Sequence, residues 1–387
     1  MPKSGSTKPR ARTVRPPAAK SRDLDLSNLL GRRAVSLDTP ELQRFLAGKN
    51  VLVTGAGGSI GSEICRQSMK FCPRKMILLD RAENSLFEID RELRHRWMGA
   101  ELTPMIADIC DVRRIARVFE EHEPHVVFHC AAHKHVPMME SNPGEAVKNN
   151  IFGTRVVADA ALAAQAAAFV MVSTDKAVNP TSVMGAAKRC AELYVQSLNT
   201  SAGKTRFVAV RFGNVLGSSG SVAPIFRKQI EAGGPVTVTH PDMKRYFMTI
   251  AEASQLVMQA GAIGRGGEIF ILDMGKPIKI LSLAREMIRR HGLRPGKDIA
   301  IEFTGIRPGE KLYEELACAD EQTRPTSHPK IRVWQLPRAT PKQVEEMLQI
   351  LTSVTNGNRA EVMRALCRCV PEYQPNVTDN PAVRLVA

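Results

Sequence analysis

The chain is expected to adopt a doubly wound α/β fold: a parallel sheet with helices on both faces, followed by a smaller C-terminal substrate-binding portion. Three observations predict this. The apolar run Val51-Leu52-Val53 enters a glycine turn, and a helical pattern follows. Short apolar runs then alternate with helix-length segments up to residue 211. Small or ionisable residues close those runs, where open α/β sheets place their ligands.

The elements read in order as strand 51–54, helix 60–70, strand 76–80, helix 84–97, strand 103–107, helix 112–121, strand 125–130, helix 142–164, strand 169–173, helix 183–199 and strand 206–211. After Asn214, prolines and glycines such as Gly233-Gly234-Pro235 punctuate shorter elements. The organisation read from this is a basic tail (1–22), a lead-in of short helices (23–48), a dinucleotide-binding unit (49–214), a substrate-binding portion that shares elements with it (215–337), and C-terminal helices and tail (338–387). Residues 340–368 read as two helices and the last 17 residues as a loose tail.

Composition bounds the function. The 387 residues are enough for a large core, and the formal net charge is +15. Lys3, Lys8, Arg10, Arg12, Arg15, Lys20 and Arg22 supply +7 of it on a Pro-containing segment with too little apolar surface to fold alone. Such a tail is expected to be solvated, touching anionic surfaces weakly, and no specific nucleic-acid binding is expected. The remaining +8 suits a substrate with two phosphates. The eight cysteines are scattered with no CxxC pair and read as free thiols. No secretory signal and no uninterrupted apolar run of membrane length is visible, so a cytoplasmic location is expected.

The glycine turn carries the most chemistry. Gly55, Gly58 and Gly61 lie three apart in Thr-Gly-Ala-Gly-Gly-Ser-Ile-Gly. The first permits a tight turn, the second lets a phosphate approach the backbone, and the third lets helix and strand pack closely. N–H groups of the following helical turn, at Ser59 and Ile60, would face a pyrophosphate. Asp80 ends the next strand about 20 residues on, where a ribose 2′-OH needs an acceptor, and Arg81 beside it would suit a 2′-phosphate. NAD is therefore expected, with NADP as the alternative. Asp108 and Ile109 end the third strand, where an Asp could reach adenine, and the small Ala131 and Ala132 follow the fourth. These are the marks of a Rossmann unit. His133 and His135 lack a third ligand, so no metal is expected.

Two further clusters lie at strand ends. Ser173-Thr174-Asp175-Lys176 closes the fifth strand, and Lys188 follows on a helix one turn after Met184. A Tyr at 184 would complete the Tyr-x-x-x-Lys pair of short-chain dehydrogenases, but a thioether moves no proton. Another residue must therefore do the acid–base work, or the chain is inactive. Asp175 and Lys176 are adjacent and ionisable at the carboxyl edge of the sheet, although in isolation a capping Asp beside a solvated Lys would be the better reading. Arg211 and Asn214, then Arg245, then Arg307 and Glu310 form a split, mostly basic set suited to a nucleoside diphosphate.

Taken together, residues 54–61, Ala-Ala-His-Lys-His-Val-Pro (131–137), Ser-Thr-Asp-Lys-Ala-Val-Asn-Pro (173–180) and Arg-Pro-Gly-Glu-Lys-Leu (307–312) resemble the CapD-like polysaccharide-biosynthesis branch of extended short-chain dehydrogenases. That branch includes UDP-N-acetylglucosamine 4,6-dehydratases, and the resemblance covers about residues 27–335. Met184 resembles the large members, in which Met replaces Tyr. Those members usually carry membrane helices and a further domain before the catalytic part, so the chain resembles their soluble catalytic part. The resemblance implies a lyase acting on UDP-N-acetylglucosamine through C4 oxidation, water loss across C5–C6 and hydride return to C6. It implies that Lys176 removes the C5 proton, Asp175 protonates the C6 hydroxyl, Thr174 bonds the C4 oxygen and Lys188 holds the nicotinamide ribose. Asn150 joins the cofactor set, and Lys134 and His135 join the substrate set. A homo-oligomer is expected. The alternatives are a nucleotide-sugar C4 epimerase and a non-catalytic cofactor-binding scaffold.

Overall fold

The apolar run before the glycine turn becomes an interior strand of a nine-stranded sheet. The computed structural model describes residues 40–200, 203–316, 323–334 and 339–375. The basic tail and residues 23–39 of the helical lead-in lie outside them; of that lead-in, α1 (Pro40–Leu46) is described.

The chain proceeds through β1 (Asn50–Thr54), α2 (Ser59–Met69), β2 (Lys75–Asp80), α3 (Glu83–Arg96), β3 (Leu102–Ile106), α4 (Val112–His122), β4 (Val126–His129), α5 (Val136–Ser141) and α6 (Pro143–Glu145). Next come a π-helical stretch (Ala146–Gly153), α7 (Thr154–Ala163), β5 (Ala168–Val172), α8 (Val183–Ser197) and β6 (Arg206–Arg211). Shorter elements follow: β7 (Asn214–Leu216), α9 (Val222–Glu231), β8 (Val236–Val238), β9 (Lys244–Arg245), β10 (Phe247–Thr249), α10 (Ile250–Ile263), β11 (Ile269–Leu272), β12 (Ile278–Lys279) and α11 (Ile280–Arg290). The chain ends with β13 (Ile301–Phe303), β14 (Thr323–Pro325), β15 (Ile331–Trp334), α12 (Pro341–Val354) and α13 (Arg359–Cys369).

The sheet order is β14-β15-β11-β6-β5-β4-β1-β2-β3, parallel from β11 to β3, with β15 and β14 antiparallel at the far edge. The expected doubly wound α/β architecture is thus present. Strand β1 is buried throughout because both faces are covered. Leu52 packs with α4, α7 and α8, whereas Val51 and Val53 pack with α1, α2 and α10. A third cluster, around Phe226, Phe247, Leu283 and Met287, gives the later segments their own core.

Two expectations change. The single helix 142–164 is broken: Pro143 starts a new turn after Asn142, and a π-helical stretch precedes α7. The first residues of the expected loose tail are packed, with Tyr373 3 % exposed and Gln374 N–H donating to Pro180 O at 2.9 Å. The rest of that tail lies outside the described residues.

One buried ion pair ties the layers together. Glu192 on α8 accepts from Arg211 Nε at 2.6 Å and from Ser173 Oγ at 2.7 Å. The Arg211 guanidinium lies 3.7 Å from the Trp334 ring centroid. Burial works against the Glu192 charge, but Arg211, Arg189 and Ser173 outweigh it and hold the carboxyl below its usual range. Glu192→Gln leaves Arg211 buried without a counter-charge and should cost about 3–5 kcal/mol in urea unfolding. A depressed carboxyl pKa stabilises the fold above the unfolded value of about 4.3, and that contribution is lost as pH falls through the lower folded value. The gap between wild type and Glu192→Gln should therefore close in acid.

Candidate active site

Strand order reverses between β1 and β4, so a crevice opens beyond their carboxyl ends. Gly55 takes φ +65°, and a Cβ there would sit 2.8 Å from the Ala131 nitrogen. A Cβ on Gly61 would sit 2.1 Å from the Gly55 oxygen. Turn, helix start and the chain after β4 therefore touch through backbone alone. Gly57, not singled out by the sequence reading, has the same need: its Cβ would lie 2.5 Å from Ser85 Cβ. Gly58 is the N-cap of α2 and provides no side-chain cap, so the first-turn N–H groups of Ser59 and Ile60 stay available to an anion.

Gly55, Gly58, Asp80, Arg81, Ile109, Ala131 and Ala132 line this cleft, joined by Leu79, Ala107, Cys130, His133 and Asn149. Asp80 accepts N–H from Gly57 and from Ala82, each at 2.9 Å, and so braces the glycine loop. The Arg81 guanidinium lies 3.5 Å from Asp108 and 3.2 Å from His133 Nε2. Burial opposes the Asp108 charge, but the Cys110 N–H and thiol and Arg81 outweigh it and lower its pKa. Asn150 is a correction: it is fully buried and holds the His133 backbone by donating to its oxygen and accepting from its nitrogen. Its neighbour Asn149 reaches the cleft instead. The π-helical stretch widens the turn there and changes which side chain faces the cleft.

Beneath the crevice, His129 is clamped between the hydroxyls of Thr54 and Thr154 at 2.8 and 2.9 Å. Burial and nearby Lys188 push its pKa down to about 3, so it is neutral. Lys188 is 4 % exposed, and among the described residues it has no hydrogen-bond or ion-pair partner. Burial pulls its pKa down to about 8, although Glu192 and Cys130 oppose that. Met184, one turn earlier, is buried and packs in the main core.

The second cluster forms where β5 ends in a short 3₁₀ turn. Thr174 Oγ1 donates to Asp175 Oδ1 at 2.9 Å and accepts the Lys176 N–H. Lys176 Nζ donates to the same Asp175 oxygen at 2.9 Å and to Asn214 Oδ1 at 3.3 Å. The Asp175 side chain is fully buried, that of Lys176 is 20 % exposed, and among the described residues Asp175 Oδ2 has no hydrogen-bond partner. A Cβ on Gly213 would come within 3.0 Å of that oxygen. Glu314, which the sequence reading passed over, lies 3.7 Å from Lys176 Nζ.

The basic set divides. Arg211 does not reach the cleft; it is 1 % exposed and committed to Glu192. Arg245 is 6 % exposed, and its guanidinium donates to the carbonyls of Lys244, Lys311 and Leu312, so it braces a loop rather than presenting a fork to phosphate. Arg307 is accessible and paired with Glu310 at 2.6 Å. Lys134 Nζ donates to Ser219 O at 2.7 Å, and the His135 ring lies against Gly220. Ser219 N–H donates to Ser59 Oγ, so the 217–221 loop bridges the glycine turn and the segment after β4.

Fold and site define an α/β protein of the extended short-chain dehydrogenase type, with a buried Asp175–Lys176 ion pair where β5 ends. The family described as polysaccharide biosynthesis protein matches residues 51–336, and the chain belongs to it, in its CapD-like branch. The capsular polysaccharide biosynthesis protein CapD of Staphylococcus aureus is 59 % identical over 77 % of this chain and 50 % of its own length. The probable polysaccharide biosynthesis protein EpsC of Bacillus subtilis is 56 % identical over 82 % and 53 %. The chain thus spans about half the length of these curated relatives. A UDP-N-acetylglucosamine 4,6-dehydratase (inverting) of Campylobacter jejuni is 34 % identical over 71 % of this chain and 79 % of its own. Among solved structures, Pen from Bacillus thuringiensis is 38 % identical with a TM-score of 0.71, covering 76 % of this chain and 92 % of that one. No described helix is long and apolar enough to cross a membrane.

The isolated position of Lys188 is testable in the protein alone. In ¹³Cε-lysine NMR, the signal lost in Lys188→Met should titrate near pH 8, the value burial produces. Titration in the ordinary lysine range would show the side chain to be hydrated.

Proposed function

We propose that this chain is a nucleotide-sugar 4,6-dehydratase that converts UDP-N-acetylglucosamine to a UDP-4-keto-6-deoxy sugar for surface polysaccharide or glycan synthesis. The contact between Asp175 and Lys176 at the carboxyl edge of the sheet carries this reading. The 34 % identical Campylobacter dehydratases support it, as do the longer CapD and EpsC relatives. Rickettsial UDP-glucose 4-epimerases are also similar, at 32–34 % identity, so a C4 epimerase is the competing reading.

The crevice suits a nicotinamide dinucleotide. Its glycines leave room where a Cβ would intrude, the α2 N-terminus lacks a side-chain cap, and Lys188 is buried without a partner. In this reading Gly55, Gly58 and Gly61 hold the pyrophosphate, Asp80 a ribose, and Lys188 the nicotinamide ribose. When bound, the cofactor supplies reversible uptake and return of hydride. Oxidation at C4 of the sugar sends the C4-hydroxyl proton to solvent by way of Asp175 and water, and the ketone acidifies C5–H; as hydride returns to C6, Lys176 gives a proton back to C5 and the pair regains one from solvent. In the resting pair the proton sits on Lys176 and the charge on Asp175. A proton shift along their 2.9 Å hydrogen bond leaves a neutral amine to take the C5 proton and a carboxylic acid to protonate the departing C6 hydroxyl. In this reading Thr174, which donates to Asp175, bonds the C4 oxygen. Lys134, His135, Arg307 and Glu310 border the diphosphate end.

Product NMR after turnover in deuterated water tests the reaction. One solvent deuterium should enter at C5, and the C4 hydrogen should reappear at C6 with no net change in cofactor. Recovery of UDP-N-acetylgalactosamine alone would favour the epimerase, and no turnover by cofactor-loaded protein would favour a scaffold. Lys176→Ala and Asp175→Asn should each lower turnover by about 10²–10⁴-fold, and Met184→Ala by much less, because Met moves no proton. Equal losses at equal stability would refute this division of roles.

NAD should bind in preference to NADP, because the Asp80 charge repels a 2′-phosphate while Arg81 is engaged by Asp108 and His133. Calorimetric affinities decide this: a tenfold preference for NADP, about 1.4 kcal/mol, would reverse the assignment.

A further inference from the structure

Glu314 has an unusual setting for a carboxylate. Its side chain is 3 % exposed, and among the described residues it accepts no hydrogen bond. One oxygen lies 3.7 Å from Lys176 Nζ and 3.7 Å from Arg245 Nη2. The other is buried without a partner, as is Asp175 Oδ2. The loop that delivers Glu314 is fixed to the same region: Arg245 holds the Lys311 and Leu312 carbonyls, and Lys311 Nζ donates to Val178 O at 3.0 Å, two residues beyond Lys176. A surface acid on a mobile segment would show neither the burial nor this tether.

We propose that Glu314 is a positioning residue for the Asp175–Lys176 pair: its carboxylate, shared between Lys176 and Arg245, holds the lysine Nζ between two acids and sets the pH range in which that pair exchanges its proton. The inference rests on the catalytic reading of Asp175 and Lys176 given above. The charged groups facing Lys176 are Asp175, Glu314 and Arg245, and those facing Glu314 are Lys176, Asp175, Arg245 and Lys311. Burial lowers the Lys176 pKa, but the two carboxylates outweigh burial and Arg245 and raise it. Burial and the Asp175 charge raise that of Glu314, with the three cations opposing. Removing the Glu314 charge therefore removes one of two anions that keep Lys176 protonated. Because the reacting pair carries one shared proton, the alkaline limb of its activity, where the pair loses that proton, should move to lower pH.

Glu314→Gln is nearly isosteric, so a residue that merely fills space would leave Lys176 unaffected. In the full chain labelled with ¹³Cε-lysine, the signal lost in Lys176→Ala should titrate at lower pH in Glu314→Gln than in wild type. During turnover of UDP-N-acetylglucosamine, the alkaline limb of kcat should shift in the same direction. The optimum kcat should fall by up to about 10²-fold, the loss expected when a reacting group is misplaced by about 1 Å. KM should stay unchanged. Glu314→Asp keeps the charge at shorter reach; its Lys176 titration should lie between wild type and Glu314→Gln, with part of kcat recovered. This variant decides the matter if the Gln form does not fold. An unmoved Lys176 titration in a folded variant would overturn the proposal, as would a raised KM with kcat intact, which would make Glu314 a substrate contact. If wild type gives no keto sugar, the dehydratase reading fails, while the lysine titration still reports on Glu314 because it needs no substrate.

Discussion

The buried Glu192 carboxylate is the constraint on which the active-site geometry rests. It sits on α8, the helix that also carries Met184 and Lys188, and bonds Arg211 on β6 and Ser173 just before Thr174-Asp175-Lys176. Helix, sheet edge and the turn that follows β5 are thereby held to a common point. A buried charge pair is weak evidence for net stability, because desolvation offsets attraction. Its value here is geometric. An apolar replacement of similar volume would fill the space, but it would not fix the direction of Ser173. Arg211 lies under Trp334 as well, so the late antiparallel strand β15 also enters this network.

The cofactor crevice depends on a different economy, that of absent side chains. Gly55, Gly57 and Gly61 each approach neighbouring atoms closer than a Cβ tolerates. The chain after β4 must therefore begin small, as Ala131 and Ala132 do, and the bulk that closes the cleft comes from Arg81 and His133 at its rim. In the proposed reading phosphate recognition falls to backbone N–H groups and the helix terminus, which need no titratable group.

Features governed by local physics were legible in the sequence. Buried parallel strands show as continuous apolar runs, and β1 to β6 fall within a residue or two of the expected bounds. The glycine roles follow from backbone freedom, and Gly55 has the expected positive φ. What was misread depends on distant partners. Arg211 and Arg245 look alike in sequence whether they face phosphate or protein; the acceptor of Arg211 lies 19 residues away on a helix. Asn150, which the resemblance puts in the cofactor set, is buried while Asn149 lines the cleft; a regular helical period does not show the π-helical stretch that carries them. Glu314 lies two residues beyond the 307–312 motif and is not legible as a site residue, since nothing local distinguishes a buried acid from an exposed one.

The two lysines of the site show how burial assigns opposite properties to one residue type. Lys188 is buried without a paired anion, so its charge is costly and its pKa falls to about 8. That suits a donor waiting for a hydroxyl to bond. Lys176 is raised by two carboxylates and rests as an ammonium, which taken alone would make it a poor base. The contact with Asp175 resolves this. In the proposed dehydratase reaction the proton that Lys176 must lose is the proton that Asp175 must gain, and 2.9 Å separates the two atoms. Elimination across adjacent carbons needs one proton removed and one supplied, so the net protonation of the pair need not change before chemistry. A pair whose members titrated independently would have both correct forms together over only a narrow pH range; a pair sharing one proton avoids that restriction.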